Sequence, residues 1–309
     1  AALLRGLEPA ELEIAIPFLS GEARQGRLAL SYSLLRSARG TGAAEPSLEL
    51  AEVDRAFGEI KDTKGKGAAQ RREAGLSRLF RAATSAEQDF LARLIAGELR
   101  QGALEGVMHD AVAAASGLPV AAIRRAATFA GALAPVARAA MAEGRPGLER
   151  FSIQLMRPIM PMLAQPASDA ASALATFGSA LAEWKLDGAR VQVHKDGAKV
   201  KVFTRSLKDV TTAVPEVVAA VLAAQPRSLI LDGEAISLRP DGKPQPFQVT
   251  MRRFGRKIDD QAIRSELPLS VFFFDCLLLD GEPLVDEPLA RRRAALEGAL
   301  PGQHVTPAR

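Results

Sequence analysis

Two spacings of apolar residues divide this chain. Over residues 1–150, apolar positions recur three and four apart among Ala, Leu, Arg and Glu, the spacing that keeps one stripe of a helix inward. Residues 87–94 put Phe90, Leu91 and Leu94 on one stripe. Residues 120–130, after Pro119, turn Ile123 and Ala127 inward, with Arg124 and Arg125 on the flank. No strand alternation interrupts this half, so residues 1–150 are expected to form an all-α domain. The helix breakers Gly144, Pro146 and Gly147, then Arg157-Pro158-Ile159-Met160-Pro161-Met162-Leu163-Ala164 and Pro166, mark a boundary near 145–168. Beyond it the period falls to two. Val191 and Val193 alternate with Gln192 and His194, Lys195-Asp196-Gly197 turns the chain, and Val200 and Val202 alternate with Lys199 and Lys201, which predicts a β-hairpin. A helix near 215–224 follows, then a strand over 228–238 with the turn Pro240-Asp241-Gly242 behind it. Residues 271–279 are apolar enough for a strand buried on both faces. Residues 151–309 are therefore expected to form an α+β domain with a largely antiparallel sheet, making the protein multi-domain.

Composition adds bounds. The 309 residues suffice for two cores, and 48% hydrophobic with 25% charged is ordinary for a globular protein. The lone Cys276 has no internal partner and reads as a small buried hydrophobe in a reducing compartment. No run approaches the length of a membrane span and the start lacks a signal-peptide pattern, so a cytoplasmic, nucleoid-associated location is expected. A net charge of +4 points only weakly to an anionic partner; any nucleic-acid surface depends on how the charges are arranged.

The helical half carries an echo. Gly21-Glu22-Ala23-Arg24-Gln25-Gly26 recurs as Gly97-Glu98-Leu99-Arg100-Gln101-Gly102. Paired glycines around Arg and Gln suit an inter-helix turn whose exposed amides approach a phosphate backbone, or simply a helical corner. Between the copies lies Lys61-Asp62-Thr63-Lys64-Gly65-Lys66-Gly67, which reads as a flexible basic loop that contacts phosphates or is merely solvated.

The chemistry concentrates at Glu183-Trp184-Lys185-Leu186-Asp187-Gly188-Ala189-Arg190, the pattern K-x-D-G-x-R. An amine attacks phosphorus only as the neutral base; a tight Asp-Gly bend and an arginine beside it would fix its geometry and hold phosphate. Arg205 at the hairpin end, Glu234 in Leu231-Asp232-Gly233-Glu234, Phe274-Asp275 in the aromatic strand and the run Arg291-Arg292-Arg293 follow in order.

KLDGAR, LDGE and FFFDCLLLDG, in this order, resemble motifs I, III and IIIa of the nucleotidyltransferases, which comprise ATP-dependent DNA ligases, RNA ligases and capping enzymes. The helical half with Gly-Glu-Leu-Arg-Gln-Gly-Ala-Leu-Glu-Gly and the Pro161-Met162-Leu163-Ala164 lead-in resemble ATP-dependent DNA ligases, closest to the bacterial, actinobacterial-type ligase B group. The resemblance implies that Lys185 attacks the α-phosphate of ATP and carries AMP. Glu183 would accept from the adenine amino group, Arg190 and Arg205 would hold ribose and phosphates, Phe274 would stack on the base, and Glu234 would contact ribose or Mg²⁺. It further implies a monomer gripping nicked double-stranded DNA without regard to sequence, through Arg100 and Gly102. Arg24, Gly26 and Lys66 are added from the echo and the basic loop. The family's motifs IV, V and VI and its OB-fold domain do not follow Phe274. The chain is thus expected to be a C-terminally truncated ligase whose self-adenylylation is weak or absent. RNA ligation, cap guanylylation, or a fragment that only binds nicks remain alternatives at this stage.

Overall fold

The computed structural model describes residues 1–28, 30–99, 105–162, 164–177, 179–254 and 261–308. The chain divides into two compact units, Ala1–Phe151 and Ser152–Arg309.

In the first unit, the described residues form helices and no strand. Two hydrophobic clusters build it. One gathers Leu12, Ile16, Val112, Ile123 and Val136; the other gathers Ile14, Phe18, Phe57, Leu76, Phe80 and Leu91. The helix Pro9–Leu19 serves both, because its buried residues spread over two faces, Leu12 and Ile16 toward one cluster and Ile14 and Phe18 toward the other. The helix Val120–Ala130 buries Ile123, Ala126, Ala127 and Phe129, while Arg124 pairs with Asp110 at 3.0 Å and Arg125 lies over the Phe129 ring.

The repeated hexapeptide has a local cause. Glu22 N–H donates to Pro17 O and Gly21 N–H to Phe18 O; one repeat later Glu98 N–H donates to Arg93 O and Gly97 N–H to Leu94 O. Both are the paired bonds of a Schellman cap, which needs a left-handed residue, and Gly21 (φ 83°) and Gly97 (φ 71°) supply it. The turn amides are therefore not free: those of Gly21, Glu22 and Gly26 are all internally bonded. This corrects the expectation of free turn amides in the first copy. The two corners also touch, since a Cβ on Gly21 would meet the Leu99 carbonyl oxygen at 3.0 Å.

The second unit is built on a five-stranded antiparallel sheet in the order β2-β1-β3-β4-β5, with β1 Ala189–Asp196, β2 Lys199–Thr204, β3 Ser228–Ser237, β4 Leu269–Leu279 and β5 Glu282–Pro283. Val191, Val193, Val202, Leu231, Phe273 and Cys276 turn to a core closed by the helices Pro215–Leu222 and Leu289–Ala299. Two features depart from simple alternation. β4 is buried on one face only, with Phe272 and Phe274 half-exposed, which corrects the expectation of burial on both faces. Its register shifts against β3 leave Phe274 unpaired between Phe273↔Gly233 and Asp275↔Asp232, a bulge at which Phe274 and Asp275 are both only partly buried and the alternation breaks. Conversely, Gln192 and His194 on β1, which alternation assigns to solvent, are buried. No single helix among the described residues is long and apolar enough to cross a membrane.

Candidate active site

The open face of this sheet forms a cleft of about 1110 Å³. Glu183, Lys185, Arg190, Arg205, Glu234 and Phe274, drawn from four stretches of the chain, all line it. Lys185 lies just ahead of β1, exposed, in a tight turn closed by Leu186 N–H to Trp184 O at 3.1 Å; its Nζ donates to Leu186 O at 2.8 Å. The preceding stretch is held from far along the chain. Trp184 N–H donates to Pro307 O, Glu183 bridges Ala308, and Thr306 N–H donates to Phe273 O. The segment 305–308 therefore lies between β4 and the stretch that carries Lys185.

Gly188 is required by proximity. A Cβ there would fall 2.5 Å from Ala235 O and 2.3 Å from Ile236 Cγ2. The bend brings Gly188 N–H to Glu234 Oε1 at 3.0 Å, tying the K-x-D-G stretch to β3. Close approach to β3, rather than a left-handed turn, is the reason for glycine here.

The carboxylates of Glu183, Asp232 and Glu234 each have a donor. Arg190 forks onto Asp232: Nε to Oδ1 at 3.0 Å, and Nη2 to Oδ2 in a second, shorter contact. Its Nη1 donates to Met162 O at 3.1 Å, and its guanidinium lies 5.7 Å from the Phe274 ring centre. Burial pushes the Asp232 carboxyl upward, and the Arg190 fork opposes it. Glu234 is likewise raised by burial, against the Gly188 amide and the Lys185 and Arg190 charges. Glu183 is raised by burial and pulled back by Arg293, whose Nη1 donates to Oε1 at 2.9 Å while Nη2 holds Thr306 O at 2.8 Å. Arg205 is exposed in the turn after β2 and has no partner among the described residues. A cleft in which Glu183, Asp232 and Glu234 already have donors, while Lys185 and Arg205 stand in no ion pair among the described residues, is suited to a phosphate ligand.

As a metal site the cleft is incomplete. No group of three His, Cys, Asp or Glu positioned to hold a metal occurs among the described residues. Glu234 offers one oxygen, since Oε1 is engaged by Gly188. An octahedral Mg²⁺ would need its remaining oxygens from phosphates and water.

Residues 161–307 match the family model described as "ATP dependent DNA ligase domain", and residues 4–113 the one described as "DNA ligase N terminus". The chain belongs to the ATP-dependent DNA ligase family. It is 54% identical over 303 residues to a "Probable DNA ligase" of Anaeromyxobacter sp. (strain Fw109-5), covering 97% of this chain and 58% of that protein. A "Probable DNA ligase" of Sorangium cellulosum (strain So ce56) is 54% identical over 302 residues, covering 97% and 57%. One of Mycolicibacterium paratuberculosis (strain ATCC BAA-968 / K-10) is 51% identical over 304 residues, covering 97% and 58%. The chain thus spans less than two thirds of the length of these ligase relatives.

Among the residues expected to face DNA, Arg100 and Gly102 lie outside the described residues. Arg24 is not a free cation: its Nε donates to Asp54 Oδ1 at 3.0 Å, a second nitrogen contacts Oδ2, and Glu13 is 3.7 Å away. Those pairs hold Arg24 above its usual range, the Asp54 hydrogen bond first. Gly26 (φ 64°) has open space around its Cα, but its amide is bonded to Ala23 O. Lys66 is exposed, in a loop that is far from slack: Arg71 reaches the carbonyls of Lys64 and Lys66 at 2.8 Å each, and Arg72 that of Thr63 at 2.7 Å. Sequence reasoning missed Asp232 and Arg293. Asp232 stood inside the LDGE motif and Arg293 in the triple-arginine run, yet their partners lie 42 and 110 positions away, beyond any local pattern.

Proposed function

We propose that the parent protein is an ATP-dependent DNA ligase, sealing nicks in duplex DNA, and that this chain supplies its nucleotide cleft and part of its DNA grip. The observation that carries the reading is the convergence of Lys185, Glu183, Arg190, Arg205, Glu234 and Phe274 on one cleft. ATP is the substrate. The Lys185 amine attacks the α-phosphorus; an N–P bond forms, the bond to the bridging oxygen of pyrophosphate breaks, and the ammonium proton is lost to solvent. Arg190, held rigid by Asp232, and Arg205 bind the phosphates, and the half-exposed Phe274 ring offers a face for the base. Glu183 retains Oε2 for the adenine amino group, Oε1 being engaged by Arg293. AMP then passes to the 5′-phosphate of the nick, and the 3′-hydroxyl displaces it. Mg²⁺ would neutralise phosphate charge, with Glu234 as one ligand. Grip on the duplex is through phosphate and sugar, independent of sequence, by a monomer. Arg100, Gly102 and Lys66 are its candidates, with Gly26 giving the backbone room.

The test uses the 309-residue chain with ATP and MgCl2. Label from the α-phosphate, but not the γ-phosphate, is expected to accumulate slowly in acid-labile form and to vanish in Lys185→Arg. Equal labelling of that variant, or no labelling together with no ATP binding by calorimetry, would overturn the reading.

A further inference from the structure

Three alternate residues on one face of β1, Arg190, Gln192 and His194, hold the chain that precedes the cleft. Arg190 Nη1 donates to Met162 O at 3.1 Å. The Gln192 amide brackets Ile159: Oε1 accepts from Ile159 N–H at 2.8 Å, and Nε2 donates to Ile159 O at 3.2 Å. His194 Nδ1 accepts from Met156 N–H at 3.0 Å, so its proton sits on Nε2, 2.9 Å from Gln192 Oε1. The segment 156–162 thus runs antiparallel to β1, and its wall position Met162 ends on the cleft.

Its position explains why side chains do the holding. Both edges of β1 are already paired, with β2 and β3, so this stretch lies over the face of the strand, where side chains rather than a ladder must hold it; Pro158 and Pro161 remove two of its own amides as well. Met156 takes a left-handed backbone (φ 65°), unusual for a residue with a side chain, and its amide is the one the histidine receives. Gln192 and His194 are 6% and 0% exposed; two polar side chains buried on a strand where valine would fit are costly unless their bonds are needed.

We infer that Gln192 and His194 are positioning residues: with Arg190 they latch segment 156–162 along β1 and thereby set the Met162 rim of the nucleotide cleft. The latch stands on geometry alone. Its effect on nucleotide binding rests on the reading proposed above.

The experiment has two arms, both on the full 309-residue chain. Amide hydrogen exchange at Met156 and Ile159 is followed in Gln192→Leu, His194→Phe and His194→Asn. Leucine at 192 should speed exchange at Ile159 by about tenfold, the worth of one hydrogen bond, and phenylalanine at 194 should do the same at Met156. Asparagine at 194, which keeps an acceptor near the Nδ1 position, should restore Met156 protection. In the second arm the ATP concentration for half-maximal labelling should rise several-fold in Gln192→Leu, with the limiting rate unchanged. Unchanged exchange in both deletion variants sinks the latch. Lost protection with unchanged ATP dependence sinks its role in positioning. If the unsubstituted chain neither binds nor reacts with ATP, the cleft reading fails instead, and exchange alone decides the latch. Should His194→Phe fail to fold, the Gln192→Leu and His194→Asn results still decide.

Discussion

An alanine at Gly188 would place its Cβ 2.3 Å from Ile236 Cγ2 and 2.5 Å from Ala235 O. Carbon contacts relax only beyond about 3.5 Å, so the entry to β1 must retreat from β3 by about 1 Å. That retreat breaks the 3.0 Å bond from Gly188 N–H to Glu234 Oε1. Overpacking of this kind costs ~1–3 kcal/mol. Loss of a hydrogen bond to a half-buried carboxylate adds ~1 kcal/mol after discounting for solvent. A total of about 3 kcal/mol in a unit of this size lowers the melting temperature by ~6–12 °C. Thermal unfolding of Gly188→Ala by circular dichroism measures this, with Gly197→Ala as the comparison. Gly197 has φ 57° and nothing within 4 Å of a new Cβ, so that variant carries backbone strain alone, ~1 kcal/mol. Combining Gly188→Ala with Ile236→Ala should give no rescue, because the Ala235 oxygen belongs to the backbone. A Gly188→Ala melt within about 2 °C of the unsubstituted protein, or rescue by Ile236→Ala, would refute the close-approach account.

Arg190→Lys keeps the charge but loses the fork to Asp232 and the reach to Met162 O; it should destabilise by ~1–3 kcal/mol and weaken ATP binding, measured by urea unfolding and calorimetry. Full retention of both would count against a fork-held arginine. Burial pushes the His194 imidazolium down to about 4, so the folded protein binds fewer protons than the unfolded chain between about pH 4 and 6.5. The histidine's contribution is therefore complete above about pH 6.5 and is lost as pH falls toward 4, by up to ~3 kcal/mol. Urea midpoints from pH 7 to 4.5 should show this slope, and His194→Asn should flatten it. The same slope in both proteins would refute the assignment.

Local pattern made most of the architecture legible. The helices around Phe90 and Ile123 and the hairpin at Gly197 follow from spacings of three, four and two, because each buries one face and the period declares which. The β4 bulge was not legible: three consecutive phenylalanines carry no sign of where the register slips, and that slip leaves Phe274 and the following Asp275 both partly buried. Burial of Gln192 and His194 was hidden for a related reason, since alternation reports the neighbouring strands and says nothing of a proline-containing segment laid across the other face. In the site, the motif residues announced themselves by type and order. Asp232, Arg293 and the 305–308 segment did not, because their work is to hold motif residues rather than resemble them. The hexapeptide echo was visible as sequence, but its meaning as a pair of touching helix caps depended on hydrogen bonds that only the fold displays.

The 305–308 segment also sets a time order on biosynthesis. The stretch carrying Lys185 receives its outer support, through Pro307 and Ala308, from chain made about 120 residues later, which at ribosomal rates is a delay of ~6–25 s. Until then the strands before it can assemble while the stretch around Lys185 hangs on an unsupported flank, and the cleft lacks one of its walls.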